Sequence, residues 1–425
     1  MPNAEVKGEI TVTQTIYSHI YPNGVVLVAE PMESVESAAF TFRVPAGTAY
    51  EPPGRGGLSG LTCEMSLRGA GSRNSRRLVE DLDNLGVERG ESVSDAHVSF
   101  RGATLARNLH AALDIFADVL QSPHLPADQL EASRQVALQE LAAVQDEPGQ
   151  RVMLELRRRH YPDPWGRPSQ GEQAALETIS SAEIRDFHSR CYRPNGTILG
   201  VAGRIDWPAL RDAVGRAFAD WPVLAEPEVR ERPPGSQREH LPHESNQTQI
   251  GIAYPSVPYP HPDYFQASAA VGVLSGGMSS RLFTEVREKR GLCYTVYASH
   301  NSLRDRASVL CYAGTSAERA QETLDVTLSE IIRLAQGIET NELDRLKARI
   351  KSGLIMQQES SSARSGSIAR DWYYLGRVRT LDEISRLMDE LSRDSINAFL
   401  AANPPGQFTI VTLGPQPLEV SVAIP

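Results

Sequence analysis

The sequence predicts an α+β protein of two homologous two-layer domains, each a mixed, mainly antiparallel sheet covered by helices on one face. Two observations carry this prediction. Helical and strand patterns alternate along the chain, and patterns of the first half recur in order about 212 residues later. The chain has 425 residues, 40% of them hydrophobic and 23% charged, so it is long enough for two such domains.

The first recurring pattern is an amphipathic helix. In the first half, apolar residues spaced for one helical face are Leu105, Leu109, Leu113, Phe116 and Leu120. In the second half, the corresponding face consists of Leu324, Leu328, Ile331 and Ala335. A further helix begins near Leu130 in one half and near Leu343 in the other. Amphipathic helices resemble one another, so a single recurring helix is weak evidence of a duplication. Several recurrences in the same order indicate that the chain is duplicated.

The third echo joins a helix to a strand in each half. Residues 179–187 recur as residues 391–399, and each copy leads through a proline-bearing turn into an apolar run, 197–202 or 408–413. Alternating patterns predict further strands, at 25–29, 39–44, 248–254 and 308–313. The proline- and charge-rich stretch 225–244 is typical of a linker. The predicted domains are therefore residues 1–224 and residues 245–425.

Composition excludes several classes of function. A formal charge of -10 without a Lys/Arg-rich tract argues against nucleic acid as a partner. No apolar run approaches the ~18 residues that span a bilayer, so no membrane partner is expected. Residues 1–20 lack a signal-peptide pattern, from which we expect a cytoplasmic location. The cysteines are scattered without a C-x-x-C pair, which argues against disulfides and a thiolate zinc site; they are Cys63, Cys191, Cys293 and Cys311.

Residues 57–65, Gly-Leu-Ser-Gly-Leu-Thr-Cys-Glu-Met, open the helix after the second strand. This segment resembles the zinc helix of the pitrilysin/insulinase (M16, inverzincin) peptidases, whose signature is H-x-x-E-H. In that signature, two His bind zinc on one helix face and the Glu takes a proton from the metal-bound water. Here Gly60 stands at the first His, Cys63 at the Glu and Glu64 at the second His. The resemblance therefore implies a dismantled zinc site.

The family's remaining zinc ligand is a Glu on a later helix, in a pattern like R-x-V-x-x-x-E. Residues 134–140 match that pattern, which places Glu140 at the third-ligand position. One ligand of three does not hold zinc, so we expect this chain to bind no metal or other cofactor. Glu64 and Glu140 with nearby Cys63 are an alternative metal site, but catalytic zinc sites typically include imidazole. The favoured interpretation is that Glu140 is a partly buried carboxylate left from a working ancestor.

The strongest positive motif lies in the second half. Residues 279–294, Ser-Ser-Arg-Leu-Phe-Thr-Glu-Val-Arg-Glu-Lys-Arg-Gly-Leu-Cys-Tyr, resemble the family's C-terminal signature, in which an Arg and a Tyr seven residues apart reach the catalytic chamber. Arg287 and Tyr294 have that spacing. A Tyr hydroxyl can donate to an oxyanion, and an Arg can hold substrate backbone or support the Tyr. A surface Arg and a packed Tyr are the alternative.

Three other features receive structural interpretations. The glycine-rich loop 274–280 lacks the Lys and the spacing of a phosphate-binding loop, so we interpret it as a flexible connection. The run from Arg157 to His160 is typical of a solvated helix face. Gly90-Glu91 stands where the family usually has Asn-Ala before its substrate-edge strand, which weakens the case for peptide pairing there.

The resemblance covers residues 21–414, and short members of the family work as dimers that close around a peptide. It implies a non-catalytic subunit of a heterodimeric zinc peptidase, similar to the mitochondrial processing peptidases. Zinc would then reside in a homologous partner with H-x-x-E-H, while this chain supplies Arg287 and Tyr294 to a peptide substrate. Two alternatives remain: a structural or peptide-binding homodimer without proteolytic function, and an enzyme that uses Cys63 as a reactive thiol.

Overall fold

The structure is a computed structural model that describes residues 14–420, without the side chains of residues 355 and 358. The parts of the two predicted domains before residue 14 and after residue 420 lie outside the described residues. From residue 14 onward, the strands of the first half are β1 Tyr17–Ile20, β2 Val26–Pro31, β3 Ser37–Val44, β4 Gly69–Ala70, β5 Arg73–Asn74, β6 Glu88–Val93, β7 Val98–Leu105 and β8 Ile198–Gly203. Its helices are α1 Leu58–Ser66, α2 Ser75–Asn84, α3 Leu109–Gln121, α4 Leu130–Gln145, α5 Pro148–His160, α6 Gln173–Leu176, α7 Ser181–Cys191 and α8 Trp207–Ala217.

The second half repeats this arrangement with fewer strands. They are β9 Arg238–Pro242, β10 Gln247–Ser256, β11 Cys293–Ser302, β12 Ala307–Ser316 and β13 Thr409–Gly414. The α-helices are α9 Tyr264–Ser275, α10 Ala320–Arg333, α11 Thr340–Gln358, α12 Ser361–Leu375, α13 Leu381–Glu390 and α14 Arg393–Ala402, and a π-helical turn spans Phe283–Glu288. Among residues 14–420, no helix is both long and apolar enough to cross a membrane.

Two mixed sheets organise the halves. The first has the order β1-β2-β8-β3-β7-β6 and the second the order β11-β12-β10-β13-β9, each with one parallel pair. An apolar core lies between each sheet and the helices of its own half. The predicted fold class is confirmed. Strand β9 lies inside the predicted linker 225–244, so the second sheet begins within that stretch.

The helix echoes correspond to real helices with similar ends. Helix α7 begins after Ser180, whose hydroxyl accepts the Glu183 N–H, and α14 begins after Ser392, which accepts the Ser395 N–H. Such caps satisfy backbone donors that a helix leaves unpaired at its first turn. One assignment was wrong: Leu105 ends strand β7 and is exposed, because α3 begins only at Leu109.

Each sheet also packs, on its other face, against a helix from the opposite half. Helix α12 crosses β2, β3 and β8, where Ile368 and Ala369 join a small apolar cluster. Helix α5 crosses β10 and β13, where Val152 and Leu156 are fully buried. The predicted solvated face at the end of α5 is therefore wrong for His160, which contacts Thr409 of the second sheet at 2.9 Å, whereas Arg158 is exposed. This exchange of helices joins the halves.

Candidate active site

Helix α1 is held at its N-terminus by a glycine and a buried carboxylate. Gly57 has a φ of 100°, and a Cβ there would lie 2.6 Å from Leu176 Cδ2, so only glycine fits. Glu51 Oε1 accepts hydrogen bonds from the N–H groups of Gly57 and Ser59 at 3.0 and 2.9 Å. Burial nevertheless raises the pKa of Glu51 to about 8. These contacts fix the orientation of α1 and of the residues that it presents.

Four predicted positions line one cavity of about 290 Å³. Gly60, Cys63 and Glu64 reach it from α1, and Glu140 reaches it from the neighbouring helix α4. Glu91 of strand β6 lies on the same cavity, inside the strand rather than before it. The structure thus brings together residues that the sequence places 76 positions apart.

The residues at this cavity do not fit a zinc ion. Gly60 offers no ligand atom, and Glu64 is engaged by Arg68, with 2.6 Å between Oε1 and Nη2. Among residues 14–420, no group of three or more His, Cys, Asp or Glu side chains is arranged to hold a metal. Catalytic zinc usually has three protein ligands, often including imidazole. The alternative metal site from two carboxylates and Cys63 therefore has no support in the geometry.

Burial argues against one alternative, a reactive Cys63, and corrects one expectation, a partly buried Glu140. Cys63 is only 5% exposed, and burial raises the pKa of its thiol far above the usual range. A reactive thiolate is thus disfavoured at Cys63. Glu140 is exposed rather than partly buried, because α4 presents it at the mouth of the cavity. It makes no ion pair or hydrogen bond with the residues that the structure describes.

Arg287 and Tyr294 are brought into contact in the second half. The Arg287 guanidinium lies over the Tyr294 ring, with 4.9 Å between Cζ and the ring centroid. It lies at the same distance over the ring of Phe283, one turn earlier. A cation between two aromatic faces is attracted by both ring quadrupoles. The stack therefore holds Arg287 and Tyr294 as one unit.

Two backbone irregularities orient the Arg287–Tyr294 unit toward the surface. Arg287 lies in the π-helical turn, and Tyr294 lies where the register between β11 and β12 shifts from Cys293 to Thr295. Both π-turns and β-bulges change the direction of a side chain, and both are frequent at functional sites. Tyr294 is 82% exposed, and its hydroxyl has no hydrogen bond to the described residues. Neither Arg287 nor Tyr294 lines the cavity of Gly60 and Glu140.

Three residues of these sites were not predicted from the sequence. Glu51 has no motif around it, and its capping role follows only from the path of the loop before α1. Phe283 had a signal, since it precedes Arg287 by one helical turn. Ser133 of α4 lines the cavity with a buried hydroxyl that lacks a partner among the described residues, and no sequence pattern marks it.

Restoring the three motif positions should create a zinc site. In the variant Gly60→His/Cys63→Glu/Glu64→His, a Cβ at position 60 would meet no atom closer than the Ser169 carbonyl oxygen at 3.7 Å. We expect about one zinc per chain after dialysis, against none for the unmodified chain, measured by elemental analysis. Adding Glu140→Gln should abolish that uptake. A folded triple variant without zinc would show that Glu140 is not at the third-ligand position.

Two family models match most of the chain. The model described as "Insulinase (Peptidase family M16)" matches residues 26–168, and "Peptidase M16 inactive domain" matches residues 178–350. The chain is 26% identical over 380 residues to a protein named "Uncharacterized zinc protease YmxG" of Bacillus subtilis, with 88% of this chain and 92% of that protein covered. An uncharacterized zinc protease of Mycobacterium tuberculosis H37Rv is 27% identical, with 93% and 92% covered.

Solved structures share the fold at lower identity. A crystal structure of a peptidase M16 inactive domain from Pseudomonas fluorescens superposes with a TM-score of 0.86 at 22% identity, covering 96% of this chain and all of that one. A protease from Helicobacter pylori gives a TM-score of 0.85 at 21% identity, covering 95% of this chain and all of that one. Both agree with the two-sheet architecture described above.

Proposed function

The chain belongs to peptidase family M16, and we propose that it is the non-catalytic subunit of a heterodimeric zinc peptidase. The observation that carries the proposal is the state of Tyr294. Its ring is held by Arg287, yet it is 82% exposed and its hydroxyl has no hydrogen bond to the described residues. A prepared donor without an acceptor suits a site that is completed by another chain. The cavity at Gly60 does not fit zinc, which also supports a site that needs a second, zinc-binding subunit.

In the assembled peptidase, a homologous subunit with H-x-x-E-H would hold the zinc, which would supply an activated water. This chain's Tyr294 hydroxyl donates a hydrogen bond to the oxygen of the scissile carbonyl as negative charge develops on it. Arg287 is a positioning residue, because its guanidinium stacks on the Tyr294 ring. Its N–H groups make no hydrogen bond to the described residues, so they remain available for substrate backbone.

The names of the relatives support a proteolytic rather than a purely structural setting, since several are called zinc proteases. The test is reconstitution with a homologue from the same organism that carries H-x-x-E-H. We expect the two purified subunits to form a 1:1 complex that cleaves an internally quenched peptide, whereas each subunit alone is inactive. A mixture that is no more active than the partner alone would contradict the proposal. It would leave the chain as a structural or peptide-binding homodimer.

A further inference from the structure

The cavity between α1 and α4 is lined by acceptors of hydrogen bonds. Three carboxylates reach it, from Glu64 on α1, Glu91 on β6 and Glu140 on α4. No Lys, Arg or His is among the described residues that line it. An isolated cluster of carboxylates at one cavity repels itself, so its charge must be balanced either by neighbouring cations or by a ligand.

Neighbouring cations balance only two of the three carboxylates. Arg68 pairs with Glu64 at 2.6 Å, and Arg89 pairs with Glu91 at 2.9 Å. Both arginines line a separate cavity on the other side of those two carboxylates. Glu140 pairs with no cation among the described residues. The cavity of Glu140 therefore keeps a net negative charge.

A buried hydroxyl gives an independent indication of a ligand. Ser133 lies on α4, lines the cavity and is only 1% exposed, yet its Oγ has no hydrogen-bond partner among the described residues. The buried Oε1 of Gln170, on the same cavity, also lacks a partner. Buried polar atoms in folded proteins are nearly always paired, because an unpaired one loses its hydration without compensation. A ligand with several N–H donors would satisfy both atoms.

We propose that this cavity binds the cationic end of a basic peptide side chain, with the arginine guanidinium as the best fit. Among residues 14–420, no group of His, Cys, Asp or Glu side chains could hold a metal ion, so the carboxylates of this cavity do not suit a point ion. A planar guanidinium spreads five N–H donors over several ångströms and pairs well with carboxylates. A volume of about 290 Å³ suits one side chain rather than a whole peptide.

The source of this cation follows from the sheet. Glu91 belongs to β6, which among residues 14–420 pairs only with β7, so no described strand covers its other edge. An extended peptide along that edge would carry its side chains past the cavity. The inference rests on the proposed function in one respect, namely that a peptide carries the cationic side chain. Binding of a cation to the cavity is tested on the chain alone.

The experiment uses the full chain without its partner and two small probes in isothermal titration calorimetry. Nα-acetyl-arginine amide should bind saturably, with a Kd of about 1 mM, as suits a ligand of this size. Nα-acetyl-citrulline amide, which has the same shape without the charge, should bind at least tenfold more weakly. Equal binding of the two probes, or no saturation with the arginine probe up to about 20 mM, would overturn the proposal.

Variants of α4 locate the binding. Glu140→Gln removes the unbalanced charge and should weaken the arginine probe about three- to fivefold, whereas Glu140→Lys should abolish its binding. Asp146→Asn is the matched control, because Asp146 is an exposed carboxylate at the end of the same helix and does not line the cavity. Unchanged affinity in Glu140→Lys would refute this location. Stoichiometric uptake of zinc or calcium alone would refute the choice of ligand.

Ser133→Ala separates a ligand contact from a structural one. Removing a buried, unpaired hydroxyl from a helix should raise the melting temperature, because alanine needs no partner and favours the helix. The same variant should weaken the arginine probe. A Ser133→Ala chain that binds the probe as well as the unmodified chain would contradict a role for this hydroxyl. Because these measurements need no partner, failure here leaves the hydrolysis test intact, and failed hydrolysis leaves the cation site intact.

Discussion

Tyr294→Phe is expected to lower the kcat of the reconstituted heterodimer by ~10²–10³, with little change in KM. The substitution removes one hydroxyl from an exposed ring, so the fold and the stack with Arg287 should persist. The lost hydrogen bond is strongest when the carbonyl oxygen carries negative charge, which explains why kcat bears the loss. Steady-state kinetics on the purified 1:1 complex measures it.

A neighbouring tyrosine provides the matched control. Tyr297→Phe removes a hydroxyl from the same strand β11, from a ring that packs against Tyr312 rather than Arg287. We expect that variant to retain full activity. The kcat of Arg287→Lys should lie between the values for Tyr294→Phe and Tyr297→Phe, because an ammonium lacks the planar face that stacks on the Tyr294 ring. If Tyr294→Phe assembles normally and remains fully active, Tyr294 has no role in catalysis.

The sequence predicts the two-sheet architecture because the information for it is local and repeated. Apolar alternation located β2, β3, β10 and β12, and the echo of residues 179–187 in residues 391–399 located α7 and α14. These signals need only a few neighbouring residues and the periods of strand and helix. The order of the echoes then indicated that the second half repeats the first.

The exchange of α5 and α12 could not be read in the same way. An amphipathic pattern tells which face of a helix is buried, but it does not tell which sheet buries that face. Residues 157–160 near the end of α5 suggested a solvated helix face, while Val152 and Leu156 of the same helix pack on the second sheet. Only the three-dimensional path of the chain assigns that contact.

At the candidate site, too, some features are predicted by local sequence and others are determined only by the fold. Motif spacing placed Gly60, Cys63, Glu64 and Glu140 on two segments that do line one cavity. It could not reveal that Arg68 engages Glu64, that Glu140 is exposed, or that the Ser133 hydroxyl lacks a partner. Those properties depend on how α1, α4 and β6 approach one another, and no single segment encodes them.

Helix α12 carries a buried ion pair that joins the two halves. Arg364 is 1% exposed, and its Nη2 lies 2.8 Å from Glu30 Oε2 on strand β2. Its Nε donates to the same oxygen at 2.8 Å. Gln14 donates to the other carboxylate oxygen at 2.7 Å and accepts the N–H of Leu381. A buried ion pair with its remaining lone pairs satisfied is stable only while both partners are present.

Arg364→Ala is therefore expected to lower the free energy of unfolding by about 3–5 kcal/mol, measured by chemical denaturation. Most of this loss comes from the Glu30 carboxylate, which stays buried without its partner. The double variant Glu30→Gln/Arg364→Met removes both charges and should recover most of the stability, because neither site then holds an unpaired charge.

Arg370→Ala on the same helix is the control for this prediction, since Arg370 is exposed and its ion pair with Asp371 is 3.9 Å long. It should cost about 1 kcal/mol or less. Equal losses in Arg364→Ala and Arg370→Ala would show that the buried pair does not stabilise the contact between α12 and the first sheet. A larger loss at Arg364, recovered in the double variant, would show that one ion pair couples the two halves.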